Sequence, residues 1–156
     1  MNINTTCCFS GHRKISALMT IELTLKMKKE IEALIKEGYE NFICGGALGF
    51  DTICALTVIK LKVKYPNIKL ILALPCKEQT KNWQQKDIDV YDKIMEESDE
   101  VVYTSINYDK GCMFKRNRYM VDNSSCCIYY LNKQSGGTAY TVKYANEHGL
   151  KLKNMA

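Results

Sequence analysis

The stretch Phe42–Thr52, FICGGALGFDT, decides how this chain is read. A short apolar run meets three of the nine glycines, Gly45, Gly46 and Gly49, and Asp51 follows at once. Glycine permits positive φ and a close backbone approach. A helix opening after such a turn offers free N–H groups and the positive end of its dipole. The spacing matches neither GxGxxG nor GxxxxGK[ST], so neither a dinucleotide fingerprint nor a P-loop follows from it. Two readings stand at this point: a phosphate cradle, or a tight strand-to-helix turn with Asp51 as N-cap.

Outward from this turn, the pattern alternates. Strands are expected at 5–9, 41–44, 68–75, 99–104 and 125–132, with a short last one in LKLKN, 150–154. The run IKLILALP is apolar throughout, as suits a parallel strand covered on both faces. Helices are expected over 20–37, 51–64, 80–98, 112–123 and 138–148. In the first, Leu23, Met27, Ile31, Leu34 and Ile35 recur at steps of three and four, and Gly38 ends the pattern. Strands alternating with helices predict an α/β chain: a Rossmann-like, doubly wound, mostly parallel sheet in three α/β/α layers. Residues 1–156 read as a single domain of ordinary size.

Composition narrows the class. Hydrophobic residues make up 46% and charged residues 25%, which is globular rather than disordered composition. The N-terminus lacks a basic segment followed by an apolar one, and no apolar run is long enough to span a bilayer, so no membrane association is expected and the expected compartment is the cytoplasm. Cys7, Cys8, Cys44, Cys126 and Cys127 fall inside strand-like runs. They are expected to pack as small hydrophobes. No CxxC spacing occurs, so no metal site is expected. The net charge of +5 favours anionic ligands, yet the lysines are spread rather than clustered.

In a doubly wound sheet, ligands bind beyond the carboxyl ends of the strands. Several loops should therefore share one edge. Ser10-Gly11-His12-Arg13 follows the first strand. There Arg13 can fork an anion and His12 can donate or carry a proton; alternatively Arg13 pairs with a local acid and His12 caps a backbone carbonyl. Ser135-Gly136-Gly137-Thr138 follows the fifth strand and repeats the glycine pair, with Thr141 one turn on. Two such turns on one edge favour an anion site. Arg116 and Asn117 lie on the preceding helix and can reach the same edge, whereas Arg118 and Asp122, four apart, are expected to form a surface pair. Trp83 and the tyrosines at 103 and 108 offer aromatic faces, for stacking on a base or for ordinary packing.

Taken together, FSGHR, ICGGALGFD, LALPC, KRNRYMVD and SGGTAYT resemble the YpsA/YoqJ-like family of the SLOG superfamily, which also holds the DNA-processing protein A (Smf) group and the lonely-guy nucleotide hydrolases. The resemblance covers nearly the whole chain in motif order. It implies a Rossmann-like sheet binding nucleotides or nucleotide-derived ligands through Gly11, His12, Arg13, Gly45, Gly46, Gly49, Asp51, Arg116, Asn117, Gly136, Gly137, Thr138 and Thr141. The chain departs from the lonely-guy pattern PGGxGTxxE: Ser135 replaces Pro, Ala139 the third Gly and Lys143 the Glu. The carboxylate those enzymes use is thus missing.

The expectation is a nucleotide-type ligand bound at the sheet edge, possible sensing, and no other cofactor. An alternative is an enzyme cleaving or transferring an N-glycosidic bond, with Asp51 as its carboxylate and His12 as an acid. A third reading is single-stranded nucleic-acid binding, for which an arginine-rich stripe is not evident in the sequence. Apolar helix faces leave a homo-oligomer open.

Overall fold

The computed structural model describes residues 1–156. After one 3₁₀ turn at Ile3–Thr5, the order is β1 (Thr6–Gly11), α1 (Ala17–Lys36), β2 (Asn41–Cys44), α2 (Phe50–Lys64), β3 (Lys69–Leu74), α3 (Gln85–Glu97), β4 (Glu100–Tyr103), α4 (Cys112–Asp122), β5 (Cys126–Tyr130), α5 (Gly137–Glu147) and β6 (Lys151–Asn154). The six strands pair in parallel in the order β4-β3-β2-β1-β5-β6. The chain winds outward from β1 to β4, then crosses back to β5 on the other side of β1. The winding reverses between β1 and β5, which opens a crevice at their carboxyl ends.

The two helical layers are visible in the core. Leu23, Met27, Ile31 and Leu34 of α1 join Phe50, Cys54 and Val58 of α2 and Ile94 of α3 over one sheet face. Met120 and Val121 of α4 and Ala145 of α5 cover the other. Strand alternation sends the vicinal cysteines to opposite faces: Cys7 and Cys126 enter the first cluster, Cys8 and Cys127 the second. All eight cysteines are free and buried. Burial pushes the Cys7, Cys44 and Cys54 thiols well up, and the neighbouring Cys8 thiol, with burial, does the same for Cys127, so these side chains pack as neutral hydrophobes. No helix is long and apolar enough to cross a membrane.

Several boundaries differ from expectation, each for a physical reason. β1 does not stop at Phe9; Ser10 and Gly11 continue the ladder opposite Tyr129 and Tyr130. α1 starts at Ala17 because the Ser16 hydroxyl accepts the Met19 N–H at 3.1 Å. α3 starts only at Gln85. The residues before it form turns that brace the sheet edge: Gln79 donates to the Gly46 carbonyl at 2.7 Å, and Glu78 accepts the Tyr108 N–H. Asp51 is not the N-cap of α2. Gly49 holds that place with φ 76° and no side-chain cap, and Asp51 lies inside the first turn, its carboxylate reaching back to the Ala47 N–H at 3.2 Å. Gly49 is glycine for a second reason, since a Cβ there would collide with the carbonyls of His12 and Arg13. That contact, with the Phe50 N–H on the His12 carbonyl at 3.1 Å, holds the β1 and β2 loops against each other.

Candidate functional site

The crevice at the carboxyl ends of β1 and β5 is a cleft of about 230 Å³. β1 supplies Ser10 and Gly11, the loop after it His12 and Arg13, α2 Asp51, α4 Arg116 and Asn117, and the turn into α5 Ser135, Gly136, Gly137 and Thr138. The two winding halves of the sheet thus deliver the dispersed motifs to one place.

Its donors are free. Ser10, Asn117 and Thr138 are each more than nine-tenths buried. The Ser10 and Thr138 hydroxyls make no hydrogen bond within the protein, and Asn117 uses only its oxygen, which accepts from Arg116 Nε at 2.9 Å. Three donors without a partner in the chain therefore line one cleft, open to it rather than sealed in the core. Arg13 is exposed on the rim and has no hydrogen bond or ion pair in the chain. The N-cap of α5 is Gly136, without a side-chain cap, and the first backbone bond of the helix runs from Tyr140 N–H to the Gly136 carbonyl. The N–H groups before Tyr140 in that first turn are therefore left without a helical partner.

The floor is a buried pair of opposite charges, Arg116 and Asp51, held apart rather than in direct ion-pair contact, with Gly45 between them. Arg116 is only 5% exposed; its Nη1 donates to the Gly45 carbonyl and, at 3.4 Å and 3.5 Å, to the Ala73 carbonyl and Gln79 Oε1. A Cβ on Gly45 would stand 2.8 Å from Arg116 Nη1 and 2.9 Å from Asp51 Oδ2. Only glycine lets guanidinium and carboxylate converge over this turn. Burial pushes the Asp51 carboxyl up to about 6, against the opposing pull of Arg116, the Ala47 N–H, Arg13 and the Gly45 N–H. Asp51 Oδ1 is shut off from solvent and has no partner.

The direction of that shift sets a pH dependence. A carboxyl raised in the folded chain binds its proton more tightly there than in the unfolded chain. Its contribution is fully present below about pH 3.8 and is lost as pH rises toward and through 6. The shift corresponds to about 3 kcal/mol. Urea unfolding of the native chain and of Asp51→Asn between pH 4 and 7 should therefore show the native chain losing up to about that much relative to the variant as pH rises. Parallel curves would contradict the assignment.

Not every residue singled out in the sequence lines the cleft. Gly45 lies under the charge pair, and Gly49 caps α2 away from it. Gly46 borders a separate apolar chamber of about 80 Å³, beyond Asp51, walled by Leu48, Trp83 and Tyr91. The Trp83 ring packs edge-on against Tyr91, so it is a wall of that chamber and not of the cleft. Thr141 is buried and donates to the Gly137 carbonyl at 2.9 Å, which fixes the first turn of α5. His12 lines the cleft, but its Nε2 accepts the Asn132 N–H at 3.0 Å; it acts as a backbone acceptor rather than capping a carbonyl. Arg118 and Asp122 do not pair: Arg118 donates to the Tyr140 hydroxyl at 3.0 Å, and Asp122 accepts from Tyr144 at 2.8 Å. Met113 and Gln79 had no motif to announce them, since one contributes cleft wall and the other a brace across 33 residues.

Comparisons with known proteins bear on the family and the fold. The family model of the YspA SLOG family (YpsA) matches residues 11–155. The uncharacterized SPbeta prophage-derived protein YoqJ of Bacillus subtilis (strain 168) is 33% identical over 140 residues, covering 81% of this chain and 82% of that protein. A UPF0398 protein of Bacillus thuringiensis (strain Al Hakam) is 27% identical over 126 residues, covering 79% and 68%. Among solved structures, DNA processing protein A from Helicobacter pylori, studied for its single-stranded DNA binding mode, superposes with a TM-score of 0.68 at 17% identity, over 97% of this chain and 65% of that one. DNA processing protein A from Streptococcus pneumoniae gives 0.67 at 17% identity, over 97% and 50%. This chain thus spans about two thirds and one half of those two proteins, and the likeness is one of fold.

Proposed function

Because this chain belongs to the YspA SLOG family, and because its cleft gathers donors that have no partner within the chain, we propose that it binds the phosphate of a nucleotide or nucleotide-derived ligand at the carboxyl edge of β1 and β5. The observation that carries the reading is the set of free donors: Ser10, Asn117, Thr138, Arg13 and the uncapped start of α5 converge on one cleft. Arg13 supplies a mobile, charge-assisted contact from the rim. Arg116 adds fixed positive charge from below. Asp51 is the one acid lining the cleft. An arriving phosphate raises its carboxyl further and favours taking up a proton there.

Binding is favoured over bond cleavage by the state of that acid. A carboxylate that attacks or assists at a sugar carbon needs an oxygen open to substrate, whereas Asp51 Oδ1 is closed and Oδ2 already accepts the Ala47 N–H. Lys143 is exposed and carries no carboxylate to replace it. Titration calorimetry of the whole chain with nucleoside 5′-phosphates, ribose 5-phosphate and the unphosphorylated nucleosides tests the reading. Phosphorylated compounds should bind and nucleosides should not. Absence of heat and of thermal stabilisation with every phosphorylated compound would overturn it.

A second reading places the same phosphate in a single nucleic-acid strand, prompted by the Helicobacter pylori relative of like fold that binds single-stranded DNA. Binding that strengthens with oligonucleotide length and weakens steeply with salt would favour it.

A further inference from the structure

Phe114 is 40% exposed, on a helix whose other face is buried in the core. Its ring meets Tyr140 edge-on at 4.6 Å between centroids, and Tyr140 stacks toward Tyr144 at 6.4 Å with 14° between planes. Arg118 joins this row by donating to the Tyr140 hydroxyl. The row does not line the cleft but lies on the first turns of the two helices that do: Phe114 follows the cleft residue Met113 in α4, and Tyr140 lies three residues beyond Gly137, about 4.5 Å along the axis of α5. Exposed aromatics scattered singly need no explanation. Here two rings and a guanidinium pack together on the same two helices, α4 and α5, whose first turns supply cleft residues, and the helix that carries Gly137 and Thr138 carries one of the rings.

We propose that Phe114, Tyr140 and Arg118 form a shelf on which a nucleobase stacks while its 5′-phosphate sits at Gly136, Gly137 and Thr138. The inference rests on the phosphate reading above and adds the chemistry at the other end of the ligand: a flat aromatic ring separated from the phosphate by one sugar. Stacking uses ring faces and a cation, both indifferent to the hydrogen-bonding edge of the base. Discrimination among bases is therefore weak and follows ring area, purines ahead of pyrimidines. At Tyr144 the row meets Asp122, which accepts from its hydroxyl, and His148, whose ring packs on it at 4.0 Å; the Asp122 carboxylate disfavours a phosphate at that end. One base, or the end of a strand, suits the shelf.

The test compares ribose 5-phosphate, a purine nucleoside 5′-monophosphate and a 5′-phosphorylated oligodeoxynucleotide on the native chain, Phe114→Ala and Phe114→Tyr, by titration calorimetry. On the native chain the nucleotide should bind roughly ten-fold or more tighter than ribose 5-phosphate. Phe114→Ala should remove most of that advantage and leave ribose 5-phosphate binding unchanged, while Phe114→Tyr keeps the advantage. Equal affinity for the two ligands on the native chain would overturn the shelf and leave the phosphate reading standing, as would an equal loss for both in Phe114→Ala. If neither ligand bound, the phosphate reading itself would fall, and the shelf with it. Tighter binding of the oligonucleotide, lost in the same variant, assigns the shelf to a strand end; binding equal to the mononucleotide assigns it to a free nucleotide, and both support the stacking.

Discussion

Arg116→Ala should lower the stability of the chain by about 3–5 kcal/mol, the range for stripping one partner from a buried charged network. Arg116 is almost wholly enclosed, and its donors hold the carbonyls of Gly45 and Ala73 at the ends of β2 and β3, together with the side chains of Gln79 and Asn117. Removing it leaves these acceptors unpaired in a site that water enters only partly. It also removes the strongest influence holding the Asp51 carboxyl down, so that group should rise further above 6. Arg116→Lys keeps the charge but loses the planar fork, and should fall between the two. Urea midpoints measure both. A loss under about 1 kcal/mol for the alanine variant would contradict the role of Arg116 as the brace of the sheet edge.

Replacing Arg13 by Ala together with Thr138 by Val should weaken phosphate-ligand binding on the order of 100-fold, from one charge-assisted contact and one hydroxyl. The fold should hardly notice. Arg13 is exposed and unpaired, and Thr138→Val keeps the shape of a side chain whose hydroxyl bonds nothing in the chain. This separates the pair from Arg116, whose loss harms stability first. Calorimetry for affinity and thermal melting for stability, on the same samples, make the distinction. Unchanged affinity would remove both residues from the site.

Much of the fold was legible because period and punctuation agreed. The apolar run in β3, the stripe Leu23-Met27-Ile31-Leu34 and the glycine turns each gave one consistent local answer, and alternation of strand and helix gave the parallel sheet. Where the reading slipped, a tertiary contact decided. Residues 80–84 fall inside the helix expected from the sequence, but the preceding turn is drawn to Gly46 through Gln79, and α3 starts only at Gln85. Arg118 and Asp122 have the spacing of an ion pair, yet each finds a tyrosine of α5, which no pattern within α4 announces. The site was legible as a set of loops on one edge, and the structure brings Ser10, His12, Arg13, Asn117 and Thr138 together there. The first glycine pair is different. Gly45 and Gly46 looked like the cradle, but their carbonyls accept from Arg116 and Gln79, and the cleft opens at the second pair instead. Both pairs share the same local sequence logic; only the long-range donors tell them apart.

The most direct test of the central claim is a titration of the ¹⁵N-labelled chain with a purine nucleoside 5′-monophosphate, followed by backbone amide shifts. Binding as described should move the amides of Gly136, Gly137 and Thr138 most, with Ser10 to Arg13 beside them, and leave the chamber of Gly46, Trp83 and Tyr91 nearly still. Shifts centred on that apolar chamber, or none at the start of α5, would contradict it.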